Sequence, residues 1–202
     1  MTRLVWVIGP EAEIALKSAA TSFDLAKTFG REAPLHVDLG CGDGSFLCAL
    51  AQQLPEKNFL GIERLIKRVE KARRKARTID NVRILRTEIS YAVRYLLPAG
   101  SVETFYLLFP DPWPKRRHQR RRIVTSDFLN SVQVALEQNG VIYIATDYLD
   151  YFQEIKKIAE STPGFAIDDA DVDLPQSKFA LTFQQKGTAI HSLALRKVSP
   201  VK

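Results

Sequence analysis

At 202 residues, with 46% hydrophobic and 26% charged residues, the chain has the length and balance of one soluble globular domain with a substantial core. Its apolar runs, such as "LVWVI" (4–8) and "VIYIA" (141–145), are too short to span a bilayer, and no basic-apolar-small leader opens the sequence, so neither a membrane protein nor a secreted one is expected. The formal charge of +6 is unevenly placed: residues 64–77 hold eight Lys/Arg against one Glu, residues 115–122 hold six Lys/Arg and no acid, and the rest is net acidic by seven.

Two focused basic patches on an acidic body point to a polyanionic partner. Cys41 and Cys48 lie seven apart with no His or Cys cluster around them. They read as reduced thiols of a cytoplasmic protein, with neither a disulfide framework nor a metal site expected.

Residues 1–33 are read as an N-terminal helical lead-in and 34–202 as the core of a single domain. In chain order, "LHVDLG" (35–40) predicts a strand running into the glycine turn "GCGDG" (40–44), and "SFLCALAQQL" a helix that stops before Pro55. "NFLGIE" (58–63) predicts the second strand. The helix over 64–77 then carries Leu65, Val69, Ala72 and Ala76 on one face, and Arg64, Lys67, Arg68, Lys71 and Lys75 on another. Further strands are expected at 81–85, 102–109 and 140–146, with helical patterns near 90–97, 124–137 and 149–160. After Pro163, "GFAID" and "AIHSLALRK" (189–197) are candidate closing strands, and the acidic, Pro-containing stretch 168–178 reads as a loop. This alternation predicts an α/β fold: a doubly wound, mostly parallel, seven-stranded sheet with helices on both faces.

In such sheets ligands bind at the carboxyl ends of the strands. There "VDLGCGDGSF" places Gly40, Gly42 and Gly44, which permit a tight turn and a close ligand approach. A dinucleotide enzyme also uses a glycine turn with an acid about 20 residues on, a place Glu63 would fill. The spacing here is G-x-G-x-G rather than G-x-G-x-x-G, and Asp38 stands two residues before the first glycine, which favours a cationic ligand without a pyrophosphate. S-adenosylmethionine meets both conditions, with Glu63 accepting from the ribose hydroxyls and Glu88 either beside the adenine or simply a solvated acid.

The fourth strand ends in "LLFPDPWPKRRHQRRRIV" (107–124). Its prolines stiffen the loop, so that Asp111 and Trp113 are held in place beside the glycine turn. The Lys/Arg block that follows reads as a grip on phosphates. An isolated D-P-W would more often be a turn with Trp113 capping a core; the adjoining basic block shifts that balance. His36 and His191 read as structural, and His118 as an RNA contact.

Together, these two motifs with "FLGIE" and "YIATDYLDYF" resemble the bacterial tRNA (guanine-N7-)-methyltransferase family over about residues 35–160. The glycine motif alone would indicate any class I methyltransferase; the P-D-P-W-P-K-x-R-H-x-x-R-R block is the specific part. The resemblance implies methylation of guanine N7 in the tRNA variable loop, with S-adenosylmethionine as cofactor, tRNA as partner and no metal. It further implies cofactor contacts at Asp38, Glu63, Glu88 and Asp111, with Asp111 also at the catalytic position. Lys115 and Asp147 match guanosine-binding positions, and Arg117, His118, Gln119, Arg120, Arg121 and Arg122 match the RNA-contacting stretch. The family's Thr-x-x-Glu near the C-terminus corresponds to Ser177–Ala180, which keeps a hydroxyl and lacks the carboxylate.

Three rivals stay open: methylation of another base atom such as an exocyclic amine, a dinucleotide-dependent oxidoreductase, and an RNA-binding module that has lost activity. Nothing in the sequence chooses between monomer and homodimer.

Overall fold

The computed structural model describes residues 23–168 and 189–199, together with the backbone of two strands at 5–8 and 13–16. Its strands are β1 (Val5–Ile8), β2 (Glu13–Leu16), β3 (Leu35–Leu39), β4 (Asn58–Glu63), β5 (Val82–Arg86), β6 (Val102–Leu108), β7 (Leu136–Thr146), β8 (Phe165–Asp168) and β9 (His191–Lys197). They form one sheet in the order β2-β1-β5-β4-β3-β6-β7-β9-β8. From β5 to β7 the pairing is parallel, whereas β9 runs antiparallel to both β7 and β8. The expected seven-stranded, mostly parallel sheet is therefore present as β3 to β9.

The lead-in differs from expectation. Among its described residues it holds one short helix, α1 (Leu25–Phe29), and β1 and β2 pair antiparallel and add to strand β5 in antiparallel register. "VWVI" is β-branched and aromatic, a composition that suits a pleated sheet better than a helix. The helix expected over 124–137 is shorter, α5 (Ser126–Ala135), because Leu136 already starts β7. The stretch near 90–97 is one α turn, α4 (Ile89–Tyr91), followed by a π-helical turn over Ala92–Leu96. The loop expected over 168–178 lies, apart from Asp168, outside the described residues, as does Ser177.

Successive residues of the central strands enter opposite cores, the period of two that a pleat requires. Val37, Leu39, Phe105, Leu107, Ile142 and Ile144 join the larger cluster with Phe128 of α5 and Tyr151 of α6 (Leu149–Ser161). Tyr106 and Phe59 join the other cluster with Phe46 and Leu47 of α2 (Ser45–Gln53), and with Val69 and Ala72 of α3 (Ile66–Ala76). Strands covered on both faces read as near-continuous apolar runs, which is why β3, β4 and β6 stood out in the sequence. The direction of winding, though not of the strands, reverses between β3 and β6, since β4 and β5 lie on one side of β3, and β6 and β7 on the other. A crevice opens at the carboxyl ends of strands at such a switch point.

Candidate active site

A cleft of about 330 Å³ occupies that crevice. Four strand ends supply its walls: Leu39 and Gly40 after β3, Glu63 to Leu65 after β4, Thr87 to Ser90 after β5, and Leu107 to Asp111 with Trp113 after β6. Arg68, Arg121 and Ile123 complete it. Of the residues singled out for a cofactor, Gly40, Glu63, Glu88 and Asp111 thus share one cavity.

Each is positioned by local physics. Gly40 sits at φ +91°, a conformation that glycine adopts without strain, and the space beside it is open to the cleft but for Ile89 Cδ1 at 3.6 Å. Glu63 is buried, and its Oε1 accepts from the backbone N–H groups of Arg64 and Leu65, both at 2.8 Å. Arg68 Nη1 approaches the other oxygen at 3.7 Å, so the carboxylate has a fixed orientation at the mouth of α3. Glu88 is exposed and lines the far wall.

Asp38 does not line the cleft. It lies one residue behind the rim and only 4% exposed, and its carboxyl is pushed up to about 7 by burial and, second, by the nearby charge of Glu63. Two acids held this close in a buried place favour a cation beside them. Gly42 and Gly44 also stand outside the lining. Gly44, at φ +74°, serves packing: a Cβ there would meet Ala72 Cβ of α3 at 2.9 Å, so the residue lets α2 and α3 approach. Asp43 in the same turn is anchored by Lys75 and Ser45; their hydrogen bonds outweigh its burial and hold its carboxyl well below the usual range.

The loop after β6 carries backbone strain. Phe109 and Trp113 both adopt left-handed conformations, φ +54° and +43°, on either side of Pro110-Asp111-Pro112. Bulky residues rarely occupy that region, and Phe109 also precedes a proline, so the surroundings must hold the loop in place. Two anchors do so. Phe109 N–H donates to the Ala145 carbonyl of β7 at 2.7 Å. Arg122, whose side chain is 3% exposed, donates from Nε to the Pro112 carbonyl at 2.8 Å, pairs through Nη1 with Glu154 of α6, and stacks 4.7 Å over the Tyr151 ring.

This corrects one expectation. Arg122 was grouped with the RNA-contacting residues, yet it is buried structure. Residue type cannot reveal that, because the last arginine of a run looks like its neighbours. The others remain at the surface in a 3-10 turn over Arg116–Arg121, with Arg117 and Arg120 exposed, and His118 and Gln119 half-buried. Arg121 reaches back over the Trp113 ring at 5.0 Å, and His118 meets that ring edge-on, so Trp113 is a cleft wall clasped by two basic side chains. Lys115 and Asp147 lie outside the lining; Lys115 is exposed and Asp147, half-buried, follows the end of β7. His36 is the satisfied core residue expected, bonded to the Tyr106 hydroxyl at 3.0 Å and to Glu103 at 2.9 Å, and His191 stacks on Phe152. Sequence reasoning missed Arg121 and Trp113 as a stacked pair and Arg68 as the partner of Glu63; only the last had a signal, a basic residue one turn into the helix after the acid.

Similarity to known proteins agrees with this geometry. A family model described as "Putative methyltransferase" matches residues 32–193. A tRNA (guanine-N(7)-)-methyltransferase of Alkalilimnicola ehrlichii is 31% identical over 96% of this chain and 86% of its own length. This chain belongs to the tRNA (guanine-N(7)-)-methyltransferase family. The member from Thermotoga maritima is 35% identical over 87% of this chain, which spans 58% of that longer protein. Among solved structures, an antibiotic-resistance methyltransferase, Kmr, matches with a TM-score of 0.66 over 97% of this chain and all of its own, at 15% identity. That likeness speaks for the class I methyltransferase fold.

Proposed function

We propose that this family member transfers a methyl group from S-adenosylmethionine to N7 of a guanosine in the variable loop of tRNA. The observation that carries the reading is the convergence of Gly40, Glu63, Glu88 and Asp111 on one cleft that Trp113 and Arg121 of the basic turn also line. The residues fit a sulfonium nucleoside: Glu63 in the wall for hydroxyls, with Asp38 buried one residue behind the rim adding to the field for positive charge, apolar walls at Leu39, Ile89 and Leu107 for an adenine, and an open backbone at Gly40.

When bound, the cofactor would supply an electrophilic methyl, whose S–CH3 electron pair would go to sulfur as the N7 lone pair formed the new bond. N7 carries no proton, so the chain needs no strong general base. Its residues provide position and field instead. Asp111, held by the braced loop, faces the place where positive charge moves from sulfur to the base, and Asp147 accepts from the N1–H and N2–H2 edge of guanine. Lys115 donates to O6 or to a phosphate. Arg117 and Arg120 neutralise backbone phosphates, while Trp113, with Arg121 on its ring, offers an edge against a base that has left its stack.

Methyl transfer from labelled S-adenosylmethionine to bulk unmodified tRNA, followed by digestion and nucleoside identification, tests this. Labelled 7-methylguanosine is expected. A different methylated nucleoside, or tRNA binding with no transfer, would overturn it.

A further inference from the structure

Apart from Arg64 and Arg68 at the cleft, the second cationic segment, α3 and its flanks, has no role in the chemistry above. Its buried side chains are Val69, Ala72 and Ala76. On the opposite side, at intervals of four and three residues, stand Lys67, Lys71 and Arg74, all exposed. Among the described residues none of these three has a carboxylate partner, whereas Arg68 is paired with Glu63, and Lys75 with Asp43. Like charges at such intervals repel along a helix, and Glu70, three residues from Lys67 and four from Arg74, is the single acid on that face to offset them. The stripe also leads away from the cleft: Arg64 and Arg68 line the cavity, and the basic run to Arg77 extends about 20 Å along the helix axis.

We infer that Lys67, Lys71 and Arg74 form a second docking surface for the substrate, gripping the phosphate backbone of a helical tRNA arm while the target guanosine occupies the cleft. This rests on the tRNA reading above and extends it to a part of the RNA that is not methylated. Two features choose a duplex backbone over an unpaired segment. Residues 64–77 contain no aromatic side chain on which a base could stack, in contrast to Trp113 and His118 beside the cleft. The stripe is also straight and rigid, with its three cations about 6 and about 4.5 Å apart along the axis, and suits a regular row of phosphates rather than base edges.

The test is a triple variant, Lys67→Ala/Lys71→Ala/Arg74→Ala, beside a control triple that removes the same charge elsewhere, Lys27→Ala/Lys156→Ala/Lys157→Ala. Binding of full-length tRNA is measured against salt, separately from turnover. The stripe variant is expected to lose about 2 to 3 from the slope of log affinity against log salt. Its KM for tRNA should rise about tenfold or more, with kcat at saturating tRNA unchanged. On a short oligonucleotide holding only the target loop it should match wild type. An unchanged slope, an equal loss in the control triple, or an equal loss on the oligonucleotide would overturn the docking surface. Should wild type make no 7-methylguanosine, the methylation reading fails by itself; the binding slopes still decide the stripe.

Discussion

The two cationic segments meet at one cleft and use their charge in different ways. Along α3 most of the positive charge is exposed, and two cations are paired, Arg68 with Glu63 in the cleft wall and Lys75 with Asp43 in the glycine turn. In the turn after β6 the charge is graded within a few residues: Arg117 and Arg120 face solvent, Arg121 lies on Trp113, and Arg122 is buried beneath the loop it braces. A count of Lys and Arg makes the segments nearly equal. Their surroundings make one a surface and the other partly a scaffold, because an arginine beside Tyr151, Glu154 and the Pro112 carbonyl is worth more as a brace than as a solvated cation.

The largest expected effect falls on the residue that the brace serves. Asp111→Ala should lower kcat about 10²- to 10³-fold, the range seen when one preorganised electrostatic group is removed, with cofactor affinity reduced and tRNA affinity little changed. Labelled methyl transfer under saturating tRNA measures it; a loss confined to KM for tRNA would move Asp111 from the reaction to the RNA grip.

Next in size is the brace. Arg122→Lys keeps the charge but cannot bond Pro112, pair with Glu154 and cover Tyr151 together. With the strained loop released, kcat is expected to fall about 10- to 100-fold, and stability by about 2 kcal/mol from the lost charge-assisted bonds. KM for tRNA and the salt slope should stay put. If Arg122 were an RNA contact, lysine would largely substitute for it in turnover, and alanine would lower the slope.

How far this contrast was legible in the sequence depends on the kind of evidence each residue leaves. Strands β3, β4 and β6 announce themselves because burial on both faces forces unbroken apolar runs, and Gly40, Glu63 and Asp111 follow because the fold places strand ends together. Gly44 looked like a cofactor glycine, yet its freedom is used against Ala72, a contact between helices that spacing alone does not encode. Arg122 was misread for the same reason: burial belongs to the partner surface, here α6, and not to the residue. The β1–β2 pair was missed because four-residue strands give too short a pattern to set against a helical background.

The acidic side of the cleft supplies the next contrast, as a dependence on pH. Asp38 titrates near 7 in the folded chain against 3.8 for the ordinary carboxyl, so its ionised form destabilises the fold. The stability it contributes is complete below about 4 and is lost as pH rises through about 7. A cation bound beside it reverses the preference, so S-adenosylmethionine affinity should rise roughly tenfold from pH 6 to 7.5 and level off above. Asp38→Asn should flatten both profiles. A wild-type affinity that is flat across that interval would place the cofactor's positive charge away from Asp38.

The smallest effect separates the exposed arginines from their buried neighbour. Arg117→Ala and Arg120→Ala each remove one solvated cation with no brace attached, so each should raise KM for tRNA several-fold and lower the salt slope by about 1, leaving kcat and thermal stability unchanged. Combined, the two should add, because neither shares a partner with the other. Combined with Arg122→Lys they should multiply cleanly, one acting on KM and the other on kcat. If Arg117→Ala also lowers kcat, the turn is held by more than Arg121 and Arg122, and the division between grip and scaffold lies further along it.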